Sequence, residues 1–198
     1  MSSHDHPTAV KLLDTVSAML DGTNPNEIFV DDVLRKSGVS RGSLYHHFGD
    51  YPSLIHAALL RRFATNVSND SAAMMEIAES ASSKSDYWER IGRLSAMTQV
   101  PERAAVRAER ARLISLARSD DDFAKALALE QDRLTHAMGE AIAIAQRKGW
   151  VKESLDPRAV AVFLQAYSLG RAVDDVAGER LPNSSWLAVI DTVIASLR

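Results

Sequence analysis

No cysteine occurs in the 198 residues, which removes disulfide frameworks, thiolate metal sites and thiol nucleophiles together. Six prolines and nine glycines are too few and too scattered for a linker-like or low-complexity chain. Long apolar runs are missing as well. Ala159 to Leu164 is among the longest, far short of the ~20 residues that a membrane-crossing helix needs. The start, Met-Ser-Ser-His-Asp-His, lacks the basic end and apolar block of a signal peptide, so a cytoplasmic protein without membrane partners is expected. There is no large charge of either sign, the formal net charge being −3. A glycine-rich phosphate loop, a metal-ligand cluster and a Ser/His/Asp pattern within a motif are all absent. These absences argue against an enzyme, a resident metal and a cofactor.

What is present is helix, from end to end. A hydrophobic content of 46% with 25% charged residues is ordinary for a globular protein. The apolar residues recur at helical spacing, and no strand alternation competes. Leu12, Leu13, Val16, Met19 and Leu20 make a first amphipathic helix that Gly22 terminates. Val30, Val33 and Leu34 give the buried face of a short second helix, ended by Gly38. Ser40 caps a third, with Val39 and Leu44 placed to close as a hydrophobic staple and Leu44 and Phe48 on one stripe. Asp50 and Pro52 open a fourth, carrying Ile55, Leu59 and Phe63 inward and ending inside the Ser/Ala-rich stretch 68–85. A fifth is expected from about Asp86 through Met97, and a sixth from Pro101. A seventh is capped by Asp120 to Asp122 and closed by Arg147-Lys148-Gly149. The eighth runs from Asp156-Pro157 to Gly178, and the ninth starts at Pro182-Asn183-Ser184. The fold class is thus all-α with about nine helices: a head at 7–67 and a larger body at 68–198.

The third helix is unusual in its exposed face. Arg41, Gly42, Ser43, Tyr45, His46 and His47 stand where a surface helix normally carries Lys/Glu pairs. A capped surface helix with no partner would account for the cap but not for that choice of residues. The tight turn between the second and third helices is a helix-turn-helix pattern, and Val39 to Phe48, Val-Ser-Arg-Gly-Ser-Leu-Tyr-His-His-Phe, resembles the recognition-helix signature of the tetracycline-repressor (TetR/AcrR) family of transcriptional regulators. The resemblance covers roughly Thr8 to Phe63. It implies DNA binding through Ser40, Arg41, Gly42, Ser43, Tyr45, His46 and His47. Arg41 is suited to guanine O6/N7, Gly42 to close backbone approach, Ser40 to a phosphate at the helix N-terminus, and Tyr45 to a backbone phosphate.

The head departs from that family's pattern in charge. Residues 1–64 hold six Lys/Arg against seven Asp/Glu. His4-Asp5-His6 replaces a basic arm, Phe29 stands where a Thr is common, and Tyr51 where a Lys is common. Fewer phosphate contacts predict weaker and less salt-sensitive DNA binding. They also motivate an alternative: a dimer of this fold that binds a small molecule or protein partner with little operator affinity. As for metals, His4-Asp5-His6 reads as a solvated tail, and His46 and His47 diverge by about 100° on their helix, which rules out joint chelation.

Two further expectations concern the body. The eighth helix has an inner row, Val160, Phe163, Leu164 and Tyr167, and a second row, Val162, Ala166, Leu169 and Val173, beside the small Gly170. A second apolar row needs a cover. The ninth helix adds Trp186, Val189, Ile190 and Val193. The family resemblance implies a homodimer paired through these two helices, which would set two recognition helices on a palindromic operator. It also implies a small-molecule effector that releases a repressor. Candidate walls of its pocket are Phe63, Trp88, Ile91, Met97, Phe123, His136, Met138 and Tyr167, each of which could equally be plain core. The sixth helix's arginines, Arg103, Arg107, Arg110, Arg112 and Arg118, could extend a DNA surface, but such a row more often is a solvated face or pairs with Glu102 and Glu109. His56 and His136 read as partly buried, hydrogen-bonded histidines.

Overall fold

The structure is a computed structural model that describes residues 6–198. His4 and Asp5 of the expected N-terminal tail lie outside the described residues. Among these, all regular structure is helical: α1 Pro7–Leu20, α2 Val30–Ser37, α3 Arg41–Phe48, α4 Tyr51–Ser80, α5 Lys84–Thr98, α6 Ala104–Leu116, α7 Asp121–Arg147, α8 Pro157–Gly170, α9 Ala172–Asp175 and α10 Asn183–Ala195. Two 3₁₀ turns, Pro25–Glu27 and Pro101–Arg103, precede α2 and α6. None of the described helices is long and apolar enough to cross a membrane. The chain divides between Thr65 and Asn66 into two compact units, and α4 is continuous through that boundary.

The head closes around one small core. Ala9, Leu12, Leu13 and Val16 of α1 repeat every third or fourth residue and are buried with Val33, Leu44, Phe48, Leu54, Ala58 and Leu59. Gly38 adopts φ 64°, a left-handed conformation that favours glycine, and its N–H donates to the Leu34 carbonyl at 2.9 Å. The chain reverses there. Ser40 then caps α3 by accepting from the Ser43 N–H at 3.2 Å, and Asp50 caps α4 by accepting from the Ser53 N–H at 2.7 Å. Hydrogen bonding from the Ser53 hydroxyl and N–H holds the Asp50 carboxyl below the usual carboxylate range.

The body packs around α7, whose Phe123, Leu127, Leu134, Met138 and Ile142 form one buried stripe. Asp120 and Asp156 cap α7 and α8, accepting from the Phe123 and Ala159 N–H groups at 2.8 and 2.7 Å. Lys148 reaches the last carbonyls of α4, donating to Ala78 and Glu79 at 2.7 and 2.9 Å. Trp88 is fixed on α5 by donation from its indole N–H to the Trp150 carbonyl at 2.9 Å.

The eighth helix does not run to Gly178. It ends at Gly170, and the residues that follow, through the short α9, enter a buried polar cluster. Arg171 is 4% exposed, and its Nη1 donates to the Gln99 carbonyl at 2.7 Å and to the Asn183 side-chain oxygen. One turn later Asp175 accepts both Nε and Nη2 of Arg107, at 2.6 and 2.8 Å. Trp186 closes the group with an indole N–H donated to the Gln99 side chain at 2.9 Å. Buried charges need partners, and Arg171 and Asp175 each find theirs on other elements. Of the arginines expected on a solvated face, Arg118 is exposed and Arg112 half-buried, but three others are drawn onto partners of other elements. Arg107 is buried on Asp175, Arg103 lies 3.4 Å from Asp70, and Arg110 donates to Gln165 at 2.9 Å.

Candidate nucleic-acid interface and internal cavity

The α3 helix presents its polar residues outward because Leu44 and Phe48 anchor the opposite side. Arg41, Gly42, Tyr45 and His46 are exposed, Ser40 is exposed at the cap, and Ser43 and His47 are half-buried. Tyr45 keeps 41% of its surface free, so it is no core residue. Its hydroxyl is near enough to hydrogen-bond Arg41, and this bond together with the Asp31 carboxylate raises the guanidinium's pKa above its ordinary value. Asp31 is on the first turn of α2 and forms an ion pair with Arg41 across the turn. The imidazoles of His6 and His47 stack with centroids 4.9 Å apart, placing the start of α1 beside α3. Phe29, at the position before α2, is 64% exposed, and the Tyr51 hydroxyl donates to the Ile28 carbonyl at 2.5 Å. Burial pushes the Tyr51 phenol up to about 12, and the nearby Asp32 charge adds to the shift.

A second feature lies inside the body, a cavity of about 90 Å³ walled by α4, α5, α6, α7, α8 and α10. Met74, Ile91, Leu94, Leu134, Met138 and Leu164 supply much of its apolar wall. Its polar groups are Asp70, Arg110, Gln165, Thr98, Ser168 and a hydroxyl pair, Ser95 and Tyr167, 2.7 Å apart. Of the wall residues expected from sequence, Ile91, Met138 and Tyr167 line this cavity. Trp88 lines a separate void of about 20 Å³ with Tyr87, Ile142 and Val151. Phe63 is buried in the head and Phe123 in the body core, and neither borders the cavity. Met97 is 67% exposed, because it occupies the outer side of α5. His136 is also outside, on an open groove beside α7 and the start of α8, with its Nε2 3.3 Å from Glu140. Its expected burial is corrected: the α7 stripe takes Leu134 and Met138 inward, which turns position 136 to solvent. Sequence reasoning missed Asp70, Arg110 and Gln165 altogether, since polar residues were assigned to the surface.

The outer row of α8 is uncovered in the single chain. Val162, Phe163, Ala166, Gly170 and, on α9, Val173 are exposed, and Val189 and Val193 of α10 are exposed too. Leu169 and Trp186 are half-buried. Two expectations change here. Phe163 belongs to the outer row, being 39% exposed, and Ile190 points into its own subunit, where it is 4% exposed. Among the described residues no cluster of three or more His, Asp or Glu is arranged to hold a metal ion.

No protein-family profile and no curated protein sequence matches the chain. Solved structures do match. A protein of Rhodococcus sp. classed as a TetR-family transcriptional regulator superposes with a TM-score of 0.66 at 23% identity, over 94% of this chain and 96% of its own. Another so classed, from Mesorhizobium loti, gives a TM-score of 0.72 at 14% identity, covering 98% and 97%. The reduced form of NemR from Escherichia coli gives 0.67 at 17%, covering 96% and 97%. The chain has the fold of TetR-family transcriptional regulators.

Proposed function

We propose that the protein is a TetR-family transcriptional regulator, a two-fold dimer that binds a palindromic operator through α3 and is released from it by a small molecule in the body cavity. The observation that carries this reading is the exposed face of α3, where Arg41, Gly42, Tyr45 and His46 replace the usual solvated charges. Arg41 has the length and forked donors for a guanine edge, and Tyr45 has an exposed phenol suited to a phosphate. The uncovered apolar row on α8 and α10 supports dimer formation, and a dimer doubles the few contacts each head can make. The cavity supports an effector, since a mainly apolar space with a few convergent polar groups is the usual form of a ligand site. Release would follow if the effector favours a conformation of the dimer that fits the operator less well. A repressor is the simplest mode consistent with such release.

The same head favours a second reading, in which the fold binds a small molecule or protein partner with little operator affinity. Arg41 is occupied by Asp31, and Tyr51 is turned onto a backbone carbonyl. One experiment separates the two. Genomic fragments are screened against the full chain, and the best fragment is titrated with the parent, Arg41→Ala and Tyr45→Phe. Under the first reading Arg41→Ala lowers affinity about fivefold to 150-fold and relaxes base preference. Tyr45→Phe weakens all sequences alike. No selected fragment would favour the second reading, whereas variants equal to the parent on a bound fragment would sink the assignment of DNA contacts to Arg41 and Tyr45.

A further inference from the structure

Much of the body cavity's wall is apolar, so a ligand is recognised there by the polar groups that still have a bond to make. Several have none to offer. The Gln165 NH₂ donates to the Thr135 hydroxyl and the Ala161 carbonyl, both at 3.2 Å, and its oxygen accepts from Arg110 and Gln131 at 2.9 and 2.6 Å. The Thr98 hydroxyl donates to the Ser95 carbonyl at 2.7 Å. The two charges on the wall are engaged as well, Asp70 lying 3.4 Å from Arg103 and Arg110 held on Gln165. The hydroxyls of Ser95, on α5, and Tyr167, on α8, are different. They lie 2.7 Å apart and carry two O–H protons between them, but their mutual bond uses only one. Among the described residues no second partner takes the other. A phenol is a stronger acid than an aliphatic hydroxyl, so the favoured chain has Ser95 donating to the phenolic oxygen and Tyr167 keeping its proton for the cavity. Burial raises the Tyr167 phenol above its ordinary pKa, which keeps that proton in place at neutral pH.

We propose, building on the effector reading above, that the cavity takes a small uncharged molecule with one acceptor oxygen, a ketone or ester on a short hydrocarbon body, and that Tyr167 donates the hydrogen bond that recognises it. A hydrocarbon of the same shape would leave the phenolic O–H without a partner in a mainly apolar space, which is unfavourable. A carbonyl takes the proton without bringing in a donor of its own, as an alcohol would. An ionised ligand is disfavoured for two reasons. It would carry its charge into apolar surroundings, and to be neutralised it would have to displace the partners that already hold Asp70 and Arg110. Met74, Ile91, Leu134 and Met138 line the space left for the hydrocarbon. Size limits that body. At about 90 Å³ the space is smaller than the ~150 Å³ cavity known to admit benzene, so a short chain fits as it stands. A five-membered ring fits once the two methionines shift.

Ligand-observed NMR on the free, full chain tests this without any operator, so its outcome stands apart from that of the DNA screen. The probes are cyclopentanone and methylenecyclopentane, alike in shape and differing in the acceptor oxygen, with butyrate and butylammonium as charged counterparts. Cyclopentanone is expected to bind the parent at least about tenfold more tightly than either ion. Tyr167→Phe, checked for folding by its melting curve, is expected to weaken cyclopentanone about twofold to twelvefold and to leave methylenecyclopentane unchanged or tighter. Ser95→Ala keeps the phenolic proton and is expected to weaken the ketone less. Ketone binding that survives Tyr167→Phe, whether or not Ser95→Ala or Ser168→Ala removes it, would overturn the assignment to Tyr167. Equal weakening of ketone and hydrocarbon by Tyr167→Phe would overturn the hydrogen bond while leaving an effector cavity in place. An ion that binds as tightly as the ketone would overturn the uncharged class. Absence of binding by the hydrocarbon at saturation and by the ketone at tens of millimolar concentration would overturn the site, and the effector reading of the cavity with it.

Discussion

Removing the Asp31 carboxylate should make the protein bind its operator more tightly. In the free head Asp31 holds Arg41, the residue best suited to a guanine edge, and both are well exposed, at 82% and 51%. To reach DNA, Arg41 must leave that partner, and Asp31 is then left facing a polyanion. Exposed pairs of this kind have small coupling, which corresponds to about 1.4-fold to fivefold in an equilibrium constant. In the proposed dimer–operator complex two heads would act at once, so Asp31→Asn should raise affinity about twofold to thirtyfold. Asp32→Asn is the matched control. It removes the same charge from the same turn, but Asp32 pairs with Arg35 on its own helix and not with Arg41. Fluorescence anisotropy on a selected palindromic fragment measures the effect, at salt from 50 to 200 mM. The advantage of Asp31→Asn over Asp32→Asn should narrow as salt rises, because the competing pair is screened too. The gain must also vanish in an Arg41→Ala background, where no competition remains. Equal or weaker binding by Asp31→Asn would refute the reasoning, and would mean that Asp31 holds Arg41 in its binding pose or that Arg41 does not touch DNA.

Two other outcomes follow from the body. Val162→Glu places a charge on an α8 position that is 50% exposed in the single chain, so it should leave the subunit folded and shift sedimentation from dimer to monomer; an unchanged dimer would exclude this face. Asp175→Asn removes the countercharge of buried Arg107 and should cost about 3 kcal/mol at neutral pH, read by denaturant melts. Arg107 holds the Asp175 carboxyl below its ordinary value, so the parent has this contribution in full above about pH 4 and loses it as pH falls further. The stability gap between parent and variant should therefore be flat at higher pH and shrink in acid, and a gap unchanged down to pH 2 would exclude the pair as its source.

The head was legible because its signals are local. Gly38 is forced by a left-handed turn, Ser40 by a cap three residues from its partner, and Leu44 and Phe48 by one helical turn of spacing. Each cause lies within a few residues of its effect, and periodicity reads such causes well. The same holds for the caps at Asp120 and Asp156, where helix starts agree with the sequence pattern to within a residue. Helix ends governed by distant partners were not legible. The residues after the α8 break at Gly170 are held by partners far off in sequence, Asp175 by Arg107, 68 residues earlier, and Arg171 by Gln99, 72 residues earlier. No window of neighbouring residues contains that information.

The α6 arginines carry the most instructive part of this difference. Spaced along one helix and flanked by Glu102 and Glu109, they have the composition of a solvated row, and burial is the rarer fate of arginine. What reverses the expectation is the supply of acceptors on other elements: Asp70 on α4, Gln165 on α8 and Asp175 on α9. Each acceptor is unremarkable alone, and each reads as surface in its own helix. Only when α6 is enclosed by those helices do the pairs satisfy one another, and the polar lining they leave sets the charge of the cavity. Fold class depends on where the apolar residues fall, whereas the chemistry of this cavity depends on which polar residues failed to reach the surface. The first is written in the period of the sequence. The second is decided by packing, which is why the exposed residues of α3 could be named in advance and the polar lining of the cavity could not.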